Sequence, residues 1–96
     1  MNKSVLEDIK SKAQPILKQA DVTKAALFGS YVRGENTEES DIDILVAFPE
    51  HTNLLDVVHL KNQLEEHLQK KVDLVSYNAI SPLIKESILK YQYQLL

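Results

Sequence analysis

Apolar residues recur at helical spacing from Val5 through Ile9, Ala13, Ile16, Leu17 and Ala20, which predicts an opening helix buried along one stripe. Ser4 followed by Glu7 has the spacing of a capping box and would mark the start of that helix. Pro15 falls inside the stripe, where a missing N–H and a ring clash predict a kink or a break. The period then changes. Ala25-Ala26-Leu27-Phe28 is a short apolar run cut off by Gly29-Ser30, the pattern of a buried strand. Tyr31 to Ser40 is polar and reads as a short helix or a loop. From Asp41 to Phe48 the alternation has period two, with Ile42, Ile44, Val46 and Phe48 on one face and Asp41, Asp43, Leu45 and Ala47 on the other. Pro49 ends this strand.

A second long helix is predicted from about Asn53 to Lys70, with Val57, Leu60, Leu64 and Leu68 as its stripe. Lys70 and Lys71 lie at its end, where the helix dipole favours cations. Val72-Asp73-Leu74-Val75 is too short and too β-branched for a helix and predicts a third strand. Ser81-Pro82 has the form of an N-cap followed by proline at the first helical position, and Ile84, Ile88, Tyr91 and Leu95 would give a last helix its buried side. The order predicts an α/β fold, a small mixed β-sheet flanked by helices, as a single domain over residues 1–96.

Composition narrows the function classes. The net charge is −3 and no stripe of Lys or Arg stands out, so direct nucleic-acid binding is not expected. No cysteine is present, which excludes disulfides and thiolate metal sites. The first eight residues, Met1 to Asp8, lack the apolar core of a signal peptide, and no run approaches membrane-spanning length, so a cytoplasmic protein is expected.

The chemistry is carried by acidic residues placed on strands. Asp41 and Asp43 leave the same face of one strand, with Cα atoms about 6.5 Å apart. Two carboxylates about 5 Å apart at an effective dielectric near 20 repel by roughly 3 kcal/mol, so the pair needs full solvation or a cation. Mg²⁺, hard and oxygen-seeking, is the natural cation. If the strand bearing Asp73 lies alongside, Asp41, Asp43 and Asp73 together can hold two metal ions for in-line nucleotidyl transfer. Asp73 is also placed to accept the attacking hydroxyl's proton. On the opposite side Gly29 allows close approach by a phosphate, Ser30 adds a hydroxyl, and Arg33 offers a forked donor. Arg33 reads equally well as a salt-bridge partner of Glu35 or Glu38.

Gly29-Ser30, ten residues, then Asp41-Ile42-Asp43 resembles the defining motif of the polymerase-β-like nucleotidyltransferases. The fuller strings, Leu27 to Gly34 and Ser40 to Val46, resemble the minimal nucleotidyltransferase (MNT) branch, in which a third carboxylate on a later strand matches Asp73. The resemblance implies a nucleotidyltransferase fold, with Gly29 and Ser30 at the nucleotide and Asp41, Asp43 and Asp73 at the metal. It further implies an antitoxin that transfers AMP from ATP to a tyrosine of a HEPN-domain ribonuclease toxin. The competing readings are a non-catalytic antitoxin that neutralises its partner by occlusion, and an enzyme for a small hydroxylated acceptor, against which the short chain counts. A short sheet with edges to protect also suggests life in a homo-oligomer or hetero-oligomer. His51, His59 and His67 read as surface residues, since the two in the second helix are too far apart along it to share an ion. Glu65 and Glu66 read as a solvated helix face, and Tyr91 and Tyr93 as core and interface packing.

Overall fold

A computed structural model describes residues 3–96; residues 1 and 2, the start of the segment read above for a leader, lie outside it. Helix α1 spans Lys3–Gln19, strand β1 Lys24–Phe28, the four-residue helix α2 Ser30–Arg33 and strand β2 Ile42–Ala47. Helix α3 follows at Leu54–Leu68, then strand β3 at Val72–Ser76, a 3₁₀ turn at Tyr77–Ala79, helix α4 at Pro82–Lys90 and the short strand β4 at Tyr93–Gln94. The sheet order is β3-β2-β1-β4, with β2 and β3 parallel and the other pairs antiparallel. The mixed sheet with flanking helices is the α/β architecture expected from the periodicities.

One face of the sheet makes the main core. Ala25 and Leu27 of β1, Ile42, Ile44 and Val46 of β2, and Val72 of β3 pack there with Leu6, Ile9, Ala13, Ile16 and Leu17 of α1 and Leu60, Leu64 and Leu68 of α3. On the opposite face, which also bears Asp43, Leu45 is fully buried beside its paired residue Ala26. The turn after β3 touches β2 and covers this stretch, with the Lys24 ammonium 5.0 Å from the Tyr77 ring centre. The same face opens toward Asp43 and Asp73.

Local expectations differ from the structure in four places. Helix α1 is already formed at Lys3, so Ser4 lies within its first turn rather than capping it, and Leu6 takes the buried position while Val5 faces solvent. Pro15 is accommodated inside an unbroken helix. At α3 the cap is stronger than the stripe alone implied: Asn53 Oδ1 accepts from the Asp56 N–H at 2.8 Å, and Asp56 accepts the Asn53 N–H in return. The last helix is the clearest miss. Its Ser81 cap and Pro82 start are as expected, but none of its residues is buried and it ends at Lys90. Leu95 is fully buried from beyond it, where β4 runs antiparallel to β1 and the Leu95 N–H donates to Ala25 O at 2.8 Å. Gln14 Nε2 of α1 donates to Leu95 O at 2.8 Å and ties down the same segment. Tyr93 packs against the core as expected, whereas Tyr91 is half exposed. Among the described residues no helix is long and apolar enough to cross a membrane.

Two leucines of the C-terminal segment therefore separate sharply. Leu95→Ala leaves a cavity under β4 and is expected to cost about 2–5 kcal/mol in urea unfolding. Leu83, 93% exposed, is expected to tolerate alanine within about 0.5 kcal/mol. Equal losses at the two positions would place α4, not β4, against the core.

Candidate active site

The turn from β1 into α2 sets the geometry. Gly29 has φ 80° and ψ −152°, a region open essentially to glycine alone, and directs the chain abruptly from the strand into the helix. A Cβ at Gly29 would overlap Asp43 Oδ2 and lie 3.1 Å from Asp43 Cγ. The glycine is thus required both for its backbone conformation and because the Asp43 carboxylate occupies the space a side chain would need. Tyr31 and Val32, both buried, anchor α2 in the core, so the Gly29-Ser30 backbone is held against β2.

Strand register gathers the acids. Phe28 of β1 pairs with Asp43, and Asp43 pairs with Asp73 of β3 in the parallel ladder. Paired residues share a face, and neighbouring strands lie about 4.8 Å apart, so these two carboxylates are direct neighbours. Asp41 precedes β2 by one residue and is exposed; Asp73 is exposed and Asp43 is half-buried. The electrostatics reflect this. The Asp43 carboxyl is pushed above the ordinary carboxylate value first by burial, then by the negative charges of Asp73 and Asp41, with partial relief from the Arg33 guanidinium.

Of the two readings of Arg33, the salt bridge is the one present. Its Nε donates to Glu35 Oε2 at 3.2 Å, with both side chains largely in solvent, and its charge is also felt at Asp43. Glu38, the other partner considered, instead offers its backbone oxygen to Lys70 Nζ. All three histidines are exposed, as expected.

The donor set suits a hard divalent cation: carboxylate oxygens concentrated where like charges already raise one member's proton affinity. Among the described residues no three His, Asp or Glu side chains are gathered tightly enough to hold an ion as they stand. Asp43 is half-buried against Gly29, while Asp41 and Asp73 are exposed. Sequence reasoning missed Glu65, which it assigned to a solvated helix face. Its Oε2 accepts the Val72 N–H at 2.9 Å, immediately before Asp73. Only its place in the last turn of the helix, seven residues before the strand, could have signalled this.

A glycine turn set against neighbouring carboxylates on a mixed sheet fits a class of enzyme, the nucleotidyltransferases. The chain belongs to the family described as polymerase beta, nucleotidyltransferase, whose model matches residues 11–96. It is 54% identical over 84 residues to a candidate protein adenylyltransferase of Methanocaldococcus jannaschii, a match covering 88% of this chain and 90% of that relative. It is similar to the solved structure of a candidate minimal nucleotidyltransferase, with TM-score 0.80 and 35% identity over 96% of this chain and 94% of that one. A crystal structure of a toxin–antitoxin with AMP-PNP matches at TM-score 0.77 and 27% identity, covering 91% of this chain and 72% of that chain.

Two substitutions test this geometry without any substrate. Gly29→Ala is expected to destabilise the fold by about 1–3 kcal/mol, read from urea unfolding, because it combines a disfavoured backbone with overlap on Asp43. Asp43→Asn should do the opposite at neutral pH in metal-free buffer and raise the melting temperature. The raised carboxyl is best accommodated when protonated, so its contribution is intact below the unfolded value of 3.8 and is lost as pH rises through the higher folded value. The advantage of the amide should accordingly vanish below pH 3.8; an advantage independent of pH would dismiss the electrostatic account.

Proposed function

We propose that this nucleotidyltransferase moves AMP from ATP to a protein partner, a tyrosine of a HEPN-domain ribonuclease toxin, and acts as its antitoxin. The carrying observation is the Asp43 carboxylate lodged against Gly29 and paired in register with Asp73. Support comes from the M. jannaschii relative's assignment as a candidate protein adenylyltransferase and from AMP-PNP in a toxin–antitoxin structure of the same fold. The HEPN toxin and its tyrosine rest on the motif resemblance.

In this reading the Gly29 backbone lets the triphosphate approach β1 closely, Ser30 donates its hydroxyl to a phosphate oxygen, and Arg33 lends positive charge at the edge. Asp41, Asp43 and Asp73 would hold Mg²⁺, two ions at full occupancy. When bound, the metal neutralises the triphosphate and the departing pyrophosphate. The acceptor hydroxyl bonds to the α-phosphorus as the bond to pyrophosphate breaks, and Asp73, open to solvent, takes the hydroxyl's proton and passes it to water.

A second reading, neutralisation by occlusion alone, draws on the exposed apolar surface: Leu54 and Leu55 are 77% and 78% exposed and Leu83 93%. One assay separates the two. The chain is incubated with α-³²P-ATP, Mg²⁺ and extract of its own host, beside the Asp43→Asn variant. A discrete labelled protein band that drops at least a hundredfold in the variant is the expected result. No label on protein, nucleic acid or small molecule, with neutralisation intact in the variant, would favour occlusion.

A further inference from the structure

The last turn of α3 and the joint that follows it reach both segments that carry the exposed aspartates. Glu65 stands in the last turn of the helix, where the dipole disfavours an anion, so its position there calls for a reason. Its carboxylate accepts the Val72 N–H at 2.9 Å in a partly buried contact. That N–H needs a partner from outside the sheet. β3 is an edge strand, and on its β2 side the ladder is served by Ile42, whose N–H donates to Lys71 O at 2.9 Å. The backbone of Glu65 is engaged as well: the Gln69 N–H donates to Glu65 O at 2.9 Å while Gln69 takes φ 57°. Helix and strand are thereby joined by only Gln69, Lys70 and Lys71, with little slack. From the same joint Lys70 Nζ donates to Glu38 O at 2.6 Å, across the loop that leads into Asp41.

We propose that Glu65 and Lys70 form a clamp of positioning residues. Glu65 fixes the start of β3 so that Asp73 stays in register beside Asp43, and Lys70 tethers the loop that delivers Asp41. The clamp rests on the metal-binding reading of Asp41, Asp43 and Asp73 given above. Its logic is geometric: the two exposed acids must converge on Asp43, and each is one residue or a few from a contact with Glu65 or Lys70. A carboxylate is suited to this because a charge-assisted bond to a backbone N–H is stronger than a neutral one.

The test uses the full chain and two readouts: amide hydrogen exchange by NMR without ligand, and the half-saturating Mg²⁺ concentration measured with AMP-PNP present. Glu65→Ala is expected to speed exchange at Val72 and Asp73 at least tenfold and to raise half-saturating Mg²⁺ at least threefold. Glu65→Gln, which keeps an acceptor oxygen, should stay within about twofold of the native chain on both. Lys70→Met should speed exchange around Ser40 and Asp41 and leave Val72 unmoved, which keeps the clamp testable if Glu65→Ala fails to fold. Exchange and Mg²⁺ response both unchanged in Glu65→Ala would overturn the proposal, and so, where Asp73→Asn itself weakens Mg²⁺ binding, would faster exchange with unaltered Mg²⁺ response. Asp73→Asn is the control for the underlying reading. If it binds Mg²⁺ like the native chain, the role of Asp73 as a ligand fails, and the exchange data alone then decide whether Glu65 holds the strand.

Discussion

The site is organised around a close contact between a backbone turn and a carboxylate: Gly29, at φ 80°, leaves vacant the volume that Asp43 Oδ2 fills. Nearly every other feature of this end of the molecule follows from making that contact possible. β1 must end at Phe28, opposite Asp43, so that the turn arrives at the correct height along β2. α2 must start at once and be pinned by buried Tyr31 and Val32, or the turn would drift from the strand. The antiparallel pairing of β1 with β2 aligns the turn, and the parallel pairing of β2 with β3 supplies a second carboxylate beside the first.

This arrangement stores unfavourable electrostatics where the chemistry needs them. A half-buried carboxylate beside two others is held in a state that a bound cation would relieve, and burial first, then its neighbours' charges, raise the proton affinity of Asp43. The fold tolerates it because the opposite face of the same strand, Ile42, Ile44 and Val46, is fully inside the core. Alternation along β2 thus divides labour, with packing on one side and chemistry at the mouth of the other. Membership of the nucleotidyltransferase family gives this division its purpose: anionic phosphates can approach carboxylates only with positive charge between them.

Helix α3 serves both purposes. Its stripe of Leu60, Leu64 and Leu68 packs the core, its final turn reaches the sheet edge through Glu65, and the joint that follows reaches the Asp41 loop through Lys70. At the other end of the chain β4 closes the sheet by pairing with β1 and burying Leu95, which leaves α4 outside the core with Leu83 and Ile84 facing solvent. A molecule this small covers one sheet face thoroughly and the other only in part, a consequence of its high surface-to-volume ratio.

The sequence by itself determined the alternation of helices and strands, the core stripes of α1 and α3, and the placing of Gly29, Asp43 and Asp73 at one end of the sheet. Those signals are local: period two or 3.6, a glycine-serine break, acids at strand positions where burial penalises charge. It could not determine the fate of the C-terminal segment, because Ile84, Ile88, Tyr91 and Leu95 obey helical spacing whether or not a surface exists to receive them. Only the tertiary structure, in which the second edge of β1 receives β4, brings Leu95 against β1 instead. The same holds for Leu45, whose burial depends on the turn after β3 folding over it, and for Pro15, whose helix is held together by packing on both sides of the proline. Glu65 shows the difference most plainly. Along the sequence it is one more charge on a polar helix face, and its role exists only once an edge strand brings an unpaired N–H within 2.9 Å of it.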